Sequence, residues 1–324
     1  MDLPPLSVIV PNYNHAQHLP TCLNAILAQS VRPMEIIVLD DASTDNSVEI
    51  ISHFASQHHQ LRLVQNERNL GVTPNVNKGV DLARSEYVFL QAADDEVQPG
   101  LFEKSLRLLV QHPQAGLSCT IAEWHEAATS LHWHVGVGMA DAPSYLPPQR
   151  LVELERKRQL FISSNTCVLR RSVLLETGKF IPELKSSSDW FSCGVIGFRY
   201  GICFVPEPLA VQNILPNSYY RRVRRDPQSY RQMLESILTY LNRPEYRDVA
   251  ELMREGGSLY HFGIPMLKLL FSRPESRHFL TPVVLRNGLW QGTRLFVKKF
   301  IPTPLGNLYF RIAGYRVRAS TGCD

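Results

Sequence analysis

Three polar clusters in the front of the chain each follow a short apolar run: Pro11-Asn12-Tyr13-Asn14, Asp40-Asp41 and Asp94-Asp95-Glu96. An aromatic ring with carboxylates nearby suits a nucleobase, which needs a stacking face and an acceptor for a ring N–H. Adjacent aspartates suit a divalent cation, a hard ion that takes oxygen ligands and bridges phosphates. A further carboxylate, Asp189, precedes Trp190 and the helical run Phe191 to Tyr200. Guanidinium groups concentrate in Tyr219-Tyr220-Arg221-Arg222-Val223-Arg224-Arg225, a run that suits an anionic group or a solvated basic loop. Neither GxGxxG nor GxxxxGK[ST] occurs, so no dinucleotide fingerprint or Walker loop is present.

These clusters need a scaffold that brings them to one edge. Leu6-Ser7-Val8-Ile9-Val10 is largely β-branched, ends at Pro11 and reads as a buried strand. Glu35 to Leu39, Leu61 to Val64 and Tyr87 to Leu90 repeat the pattern. Between them, His18 to Gln29, a segment ending near Gln57, and Thr73 to Ala83 carry helical spacing. Strands alternating with helices predict right-handed crossovers and a mostly parallel sheet flanked by helices. Ligands bind at the carboxyl ends of such strands, where all three clusters fall. Leu117 to His125 and Leu131 to Val137 predict a hairpin around Ala127 to Ser130. Trp124 and Trp133 on it either line a sugar-binding surface or pack together. His132 and His134 share a face at a spacing that can bind zinc, with no cysteine or carboxylate cluster close by. After a short strand, Ile202 to Val205, the pattern beyond Ser218 is helical and punctuated by prolines.

The chain has 324 residues, 44% of them apolar and 20% charged, as in a globular protein with a sizeable core. No uncharged apolar run reaches the roughly eighteen residues of a spanning helix. Six scattered cysteines without CxxC spacing argue against a zinc knuckle or disulfide scaffold. With no secretory signal at Met1 to Pro5, a reducing cytoplasm, or the inner face of the cell membrane within it, is the expected home. The net charge of +4 conceals a division: residues 1–215 hold 16 Lys+Arg against 22 Asp+Glu, a net of −6, so the remainder carries +10. The expected division is therefore a domain over 1–217 and a basic, mainly helical region over 218–324. The basic part, interleaved with Trp290, Phe296 and Phe300, suits an anionic membrane surface or a helical cap with its charges in water. Nothing else in the sequence supports nucleic acid as a partner.

An ordered series carries a resemblance. It runs from Ser7-Val8-Ile9-Val10-Pro11-Asn12-Tyr13-Asn14 to Glu35-Ile36-Ile37-Val38-Leu39-Asp40-Asp41-Ala42-Ser43-Thr44-Asp45. Asn69-Leu70-Gly71, Asn77-Lys78-Gly79 and Asp94-Asp95-Glu96-Val97-Gln98-Pro99-Gly100 follow, then Asn165 to Arg171, Gly178-Lys179-Phe180, Asp189-Trp190 and Pro206-Glu207-Pro208-Leu209. Over about two-thirds of its length the chain resembles the family 2 inverting glycosyltransferases of GT-A fold. The resemblance implies a sugar transferred from a nucleotide-diphosphate donor, with UDP favoured, to a glycan or lipid-linked acceptor in a single inverting displacement. It assigns the donor nucleotide to Pro11, Asn12, Tyr13, Asn14, Asp40, Asn69, Gly71, Asn77 and Asp94. Tyr13 would lie against the uracil and Asp40 would accept from its ring N–H, the alternative for Tyr13 being a ring packed over the strand end. Asp41 either contacts ligand or caps the following helix. Asp189 would be the general base, a role compatible with capping its helix, with Glu183 a weaker alternate.

Two departures stand out. Aligned on Pro99, Ala92 occupies the place of the family's first carboxylate, leaving Asp94 as the direct ligand of a Mn2+ or Mg2+ ion and Asp95 as its support. The family's histidine ligand after the last strand is absent from Val211 to Ser218. Arg221 or Arg222 would then replace part of the missing positive charge on the diphosphate. Both departures keep open a rival reading, a catalytically impaired nucleotide-sugar-binding or scaffold protein.

Overall fold

A computed structural model describes residues 3–126, 131–216, 218–300 and 317–319. Its strands are β1 (Leu6–Asn12), β2 (Glu35–Asp40), β3 (Leu61–Gln65), β4 (Tyr87–Leu90), β5 (Glu96–Val97), β6 (Leu117–Glu126), β7 (Leu131–Val135), β8 (Ser144–Leu146), β9 (Val168–Arg170), β10 (Ile202–Ile214) and β11 (Val317–Ala319). They form one sheet in the order β11-β7-β6-β9-β4-β1-β2-β3, with β10 along β6 and also pairing β5 and β8. The half built from β3, β2, β1 and β4 is parallel, as the strand–helix alternation requires. β9 runs antiparallel between β4 and β6.

The crossover helices bury one stripe each. In Leu19–Leu27 the buried residues are Leu19, Cys22, Leu23 and Ile26, at helical spacing. Helix Val72–Leu82 comes close to the sheet because residue 79 is glycine. A Cβ there would lie 2.4 Å from Ile9 Cγ2 and 2.9 Å from Leu39 Cδ1. At the end of the sheet opposite the polar clusters, Glu35 is buried and accepts from Ser7 Oγ at 2.8 Å and Arg84 N at 2.7 Å, with the Arg62 and Arg84 guanidinium groups beyond. Burial alone would push its carboxyl up; the Arg84 amide, Ser7 hydroxyl and Arg84 charge outweigh it and hold it below the ordinary range.

Two expectations change. β10 runs on to Ile214 rather than ending near Val205. The ladder with β6 shifts register between Val205 and Ala210 and resumes, an irregularity that accommodates Pro206 and Pro208. Beyond Ser218 the described chain is helical except for β11, which pairs with β7. The predicted hairpin is β6–β7, paired from Ala122↔Val135 to Glu126↔Leu131; its tip at 127–130 lies outside the described residues, as does Asn217.

The helices after residue 218 pack onto the sheet. One contiguous apolar core runs from Ile9 and Leu39 through Phe191 and Phe204 to Met233, Met253, Leu270 and Val284. Trp190, next to Asp189, meets Phe262 edge-on at 4.8 Å. Each fully buried Phe or Leu in this layer contributes about 1.5–3 kcal/mol, so the helical region braces the helix Ser188–Tyr200 that carries Asp189.

Candidate functional site

At the carboxyl ends of β1 and β2, short side chains knit two loops together. Asn12 Nδ2 donates to Asp40 Oδ1 at 2.8 Å and to Ser43 Oγ at 3.2 Å, while Ser43 N donates to Asp40 Oδ2 at 3.0 Å. Asn14 adopts a left-handed φ of 56°, which asparagine tolerates, and its Oδ1 accepts from Thr44 N at 2.7 Å. Asp45 accepts from Ala16 N at 3.0 Å and Ser47 N at 3.1 Å, tying the first loop to the start of helix Ser47–Gln57. Pro11 pairs with Leu39 inside β1, one residue before the strand ends. Tyr13 stands out from this frame at 44% exposed. Asp40, by contrast, is 1% exposed and carries two protein donors.

The neighbouring loop is held from β2. Asp41 accepts from Asn66 Nδ2, Leu70 N and Gly71 N, all at 2.8–2.9 Å. It therefore fixes the loop before helix Val72–Leu82 and does not cap Ser47–Gln57. Asn69 Oδ1 also accepts from Gly71 N, whose φ of 88° favours glycine. Asn77 is engaged on both sides by the Phe180 backbone: Nδ2 donates to Phe180 O at 2.7 Å and Oδ1 accepts from Phe180 N at 3.1 Å. That pair anchors the segment leading to Asp189.

The acidic turn follows β4, the neighbour of β1. It closes with Asp95 N donating to Ala92 O at 3.1 Å, and Cys22 Sγ lies 3.7 Å from the same carbonyl. Asp94 and Asp95 have separate environments. Asp95 is buried, accepting from Asn213 N at 2.9 Å and Asn165 Nδ2 at 3.4 Å. Burial, with Asp94 beside it, pushes the Asp95 carboxyl well above the usual range. Asp94 is half-buried; Asn213 Nδ2 holds its carbonyl at 2.7 Å, and its carboxylate has no hydrogen-bond donor among the described residues.

Asp189 lies in the first turn of Ser188–Tyr200, with Ser187 at the N-cap position expected of Asp189 itself. Its Oδ2 accepts from Ser164 Oγ at 2.6 Å and its Oδ1 from Trp190 N at 2.8 Å. Burial raises its pKa; the two hydrogen bonds pull the other way and do not cancel it. Ser164 and Asn165 are adjacent on one short turn, Ser164–Thr166. That turn grips Asp189 with one residue and Asp95 with the next, so it sets the acidic turn and Asp189 at a fixed spacing. Glu183 is exposed and lies beside the Tyr240 hydroxyl.

Ser164 and Asn213 are the polar positions that sequence reasoning did not single out. Neither has a distinctive type, and Asn213 lies beyond the strand end expected at Val205. On the hairpin side, His125 Nδ1 lies 3.2 Å from Asn213 Oδ1 and stacks on His132 at 4.1 Å. His132 and His134 both turn to Glu123, at 2.7 and 3.9 Å. Trp124 packs edge-on against Trp133 and Phe161. Arg221, on helix Tyr219–Arg225, pairs with Glu126 at the end of β6, one residue beyond His125. Arg224 is turned to Tyr220 and Tyr230. Arg222 is exposed and has no ion pair among the described residues.

No group of three His, Cys, Asp or Glu gathers as a metal-binding set among the described residues. The donor set at the acidic turn is one outward carboxylate, Asp94. A hard cation that takes its other oxygens from a diphosphate and water fits such a set, whereas an all-protein cage does not.

Comparison with known proteins agrees with this architecture. The mannosyltransferase PcManGT from Pyrobaculum calidifontis, in complex with GDP-Man and Mn2+, superposes with a TM-score of 0.56 at 19% identity, over 90% of this chain and 88% of that one. S. aureus TarS 1-349 in complex with UDP-GlcNAc gives 0.62 at 16% identity, over 88% and 78%. The fold is thus the GT-A fold, a central α/β sheet with a largely helical C-terminal part. Among sequences, the uncharacterized glycosyltransferase YibD of Escherichia coli strain K12 is 34% identical over 128 residues, 40% of this chain. The putative glycosyltransferase EpsH of Bacillus subtilis strain 168 is 27% identical over 229 residues, 69% of this chain. The chain spans 37% and 65% of these relatives' own lengths. Residues 7–178, more than half the chain and the stretch that includes Tyr13, Asp40 and Asp94, match the description Glycosyl transferase family 2, and the chain belongs to that family.

Proposed function

We propose that the chain transfers a sugar from a nucleotide-diphosphate sugar, UDP-linked, to a glycan or lipid-linked acceptor with inversion at the anomeric carbon. The observation that carries this reading is the Ser164–Asn165 turn, which joins the Asp189 carboxylate to the acidic turn through contacts of 2.6 and 3.4 Å. Asp189 acts as the general base. As the acceptor oxygen forms its bond to the anomeric carbon, Asp189 takes the hydroxyl proton and the bond to the nucleotide diphosphate breaks. A carboxyl raised by burial is a stronger base once ionised, so the environment of Asp189 suits the task.

On the donor side, exposed Tyr13 offers its face to the base, and Asp40 keeps lone pairs beyond its two protein contacts for the ring N–H. Pro11, Asn12, Asn14, Asn69, Gly71 and Asn77 support the donor by shaping the loops around it. Asp94 would hold a Mn2+ or Mg2+ ion against the diphosphate, the ion supplying positive charge for the leaving group. Arg222, exposed beside the paired Arg221, supplies further positive charge near the same edge.

The test is a panel of nucleotide sugars, with and without manganese, assayed for nucleotide release in the presence of glycan and lipid-linked acceptors. Acceptor-dependent release from a UDP-sugar is expected. Tight UDP binding with no turnover of any donor would overturn the reading in favour of a binding or scaffold protein.

A further inference from the structure

The helices that brace the Asp189 layer leave an unusual outer surface. Gly263–Ser272 and Pro282–Phe300 run antiparallel, Gly263 facing Gln291 and Leu267 lying over Gly288. Met266, Leu269 and Leu270 turn inward and are buried. Ile264, Lys268 and Phe271 recur at i, i+4 and i+7 and share the outward face of the first helix. Ile264 is 47% exposed and Phe271 58%, while Leu289 on the second helix is 63% exposed. Going round each helix from its buried side to its partner side and onward brings these three residues to the same outer face of the pair.

The charge on this part of the chain is mostly positive. From Lys268 onward there are ten Lys and Arg against two acids, Glu275 and Asp324. Lys268 sits within the apolar stripe, and the Arg277 guanidinium donates to Phe271 O at 3.2 Å, placing a cation beside the most prominent ring. Arg273 is turned aside to Glu235 at 3.0 Å. No helix among the described residues is long and apolar enough to cross a membrane.

We propose that this outer face docks on an anionic phospholipid surface, with Ile264, Phe271 and Leu289 entering the boundary between headgroups and acyl chains. Lys268 and Arg277 then lie level with the headgroup phosphates. Apolar side chains at helical spacing with cations among them are what such a boundary accepts, and a plane of negative charge matches a segment almost without acids. The proposal extends the reading of a lipid-linked acceptor, because a docked molecule meets that acceptor at the same surface. Its test reads binding and turnover separately.

The full chain is sedimented with vesicles of phosphatidylcholine alone and of phosphatidylcholine with phosphatidylglycerol, at low and high salt. The wild type is expected in the pellet with the mixed vesicles at low salt and released by salt. The double substitution Ile264→Glu with Phe271→Glu should lower partitioning about tenfold or more, as should Lys268→Glu with Arg277→Glu. Hydrolysis of a soluble donor should be unchanged in both, so that loss of binding with turnover retained isolates the surface from the catalytic reading. The proposal is overturned if the wild type stays in the supernatant with mixed vesicles, pellets equally with phosphatidylcholine alone, or pellets undiminished in both variants. It is also overturned if light scattering finds a dimer that the Ile264→Glu, Phe271→Glu variant breaks, since the face would then join two copies.

Discussion

Replacing Ser164 with alanine removes the hydroxyl that donates to Asp189 Oδ2 across 2.6 Å. The other donor to this carboxylate, Trp190 N at 2.8 Å, remains, as does the Asn165 contact to Asp95. The lost bond is charge-assisted and contributes about 1.5–3 kcal/mol. If that energy is expressed in holding the ionised base toward the acceptor, kcat falls about 10- to 100-fold. Because the hydroxyl stabilises the ionised form, its removal also pushes the Asp189 carboxyl further up, and the acidic limb of the kcat profile moves to higher pH. Nucleotide affinity should hold, since Ser164 touches no donor-side residue, and Ser164→Thr should restore both rate and profile. The assay is steady-state transfer across pH, paired with calorimetric titration of UDP. An unchanged rate and profile in Ser164→Ala, or an equal loss of UDP affinity, would refute the view that this turn positions the base.

Asn213→Ala removes the side-chain bond to Asp94 O but keeps the backbone bond to Asp95; KM for the donor should rise about tenfold, the worth of one such bond, with kcat little changed in the same assay. For Asp189 the folded pKa is raised, so its contribution to stability is fully present below the unfolded value and lost as pH rises through the folded one. Asp189→Asn should accordingly melt at or above wild type at about pH 8 and lose that margin near pH 4, as read by calorimetry. Glu35 has the opposite sign: its folded pKa is lowered, so its contribution is present above the ordinary glutamate pKa and lost as pH falls through the folded value. Glu35→Ala strands the Ser7 hydroxyl and Arg84 amide and should cost about 3 kcal/mol in urea unfolding at pH 7, with a smaller deficit in acid.

The parallel half of the sheet was legible in the sequence because its signals are local. β4 matches its expected bounds, Tyr87 to Leu90, and the buried runs of β1 and β2 leave no alternative face. The hairpin was suggested by two runs flanking a short polar turn, and β6 pairs with β7. β10 was not, because two prolines in a strand ordinarily end it, and only pairing with β6 across the register shift keeps it going. The same misreading hid Asn213, a residue of no special type that matters through where the ladder puts it. Site residues divide in a similar way. Tyr13 is exposed and the Asp94 carboxylate has no hydrogen-bond donor among the described residues. Asn14 and Asn77, named for the donor by resemblance, are engaged by backbone groups from distant loops, which spacing alone does not reveal. Arg221 looked free in a basic run, yet its partner Glu126 arrives from a strand 95 positions earlier. The charge division was read correctly as arithmetic, but the core crosses it, since the helices after residue 218 bury their apolar faces on the Asp189 layer.

A single inverting displacement driven by Asp189 would fix the configuration of the product. The most direct measurement is the anomeric configuration of the product, by NMR, from an α-linked UDP-sugar that the wild type turns over, alongside Asp189→Asn under the same conditions. A β-linked product from the wild type and none from Asp189→Asn is expected, with UDP affinity kept within about threefold. An α-linked product, or turnover by Asp189→Asn at the wild-type rate, would contradict it.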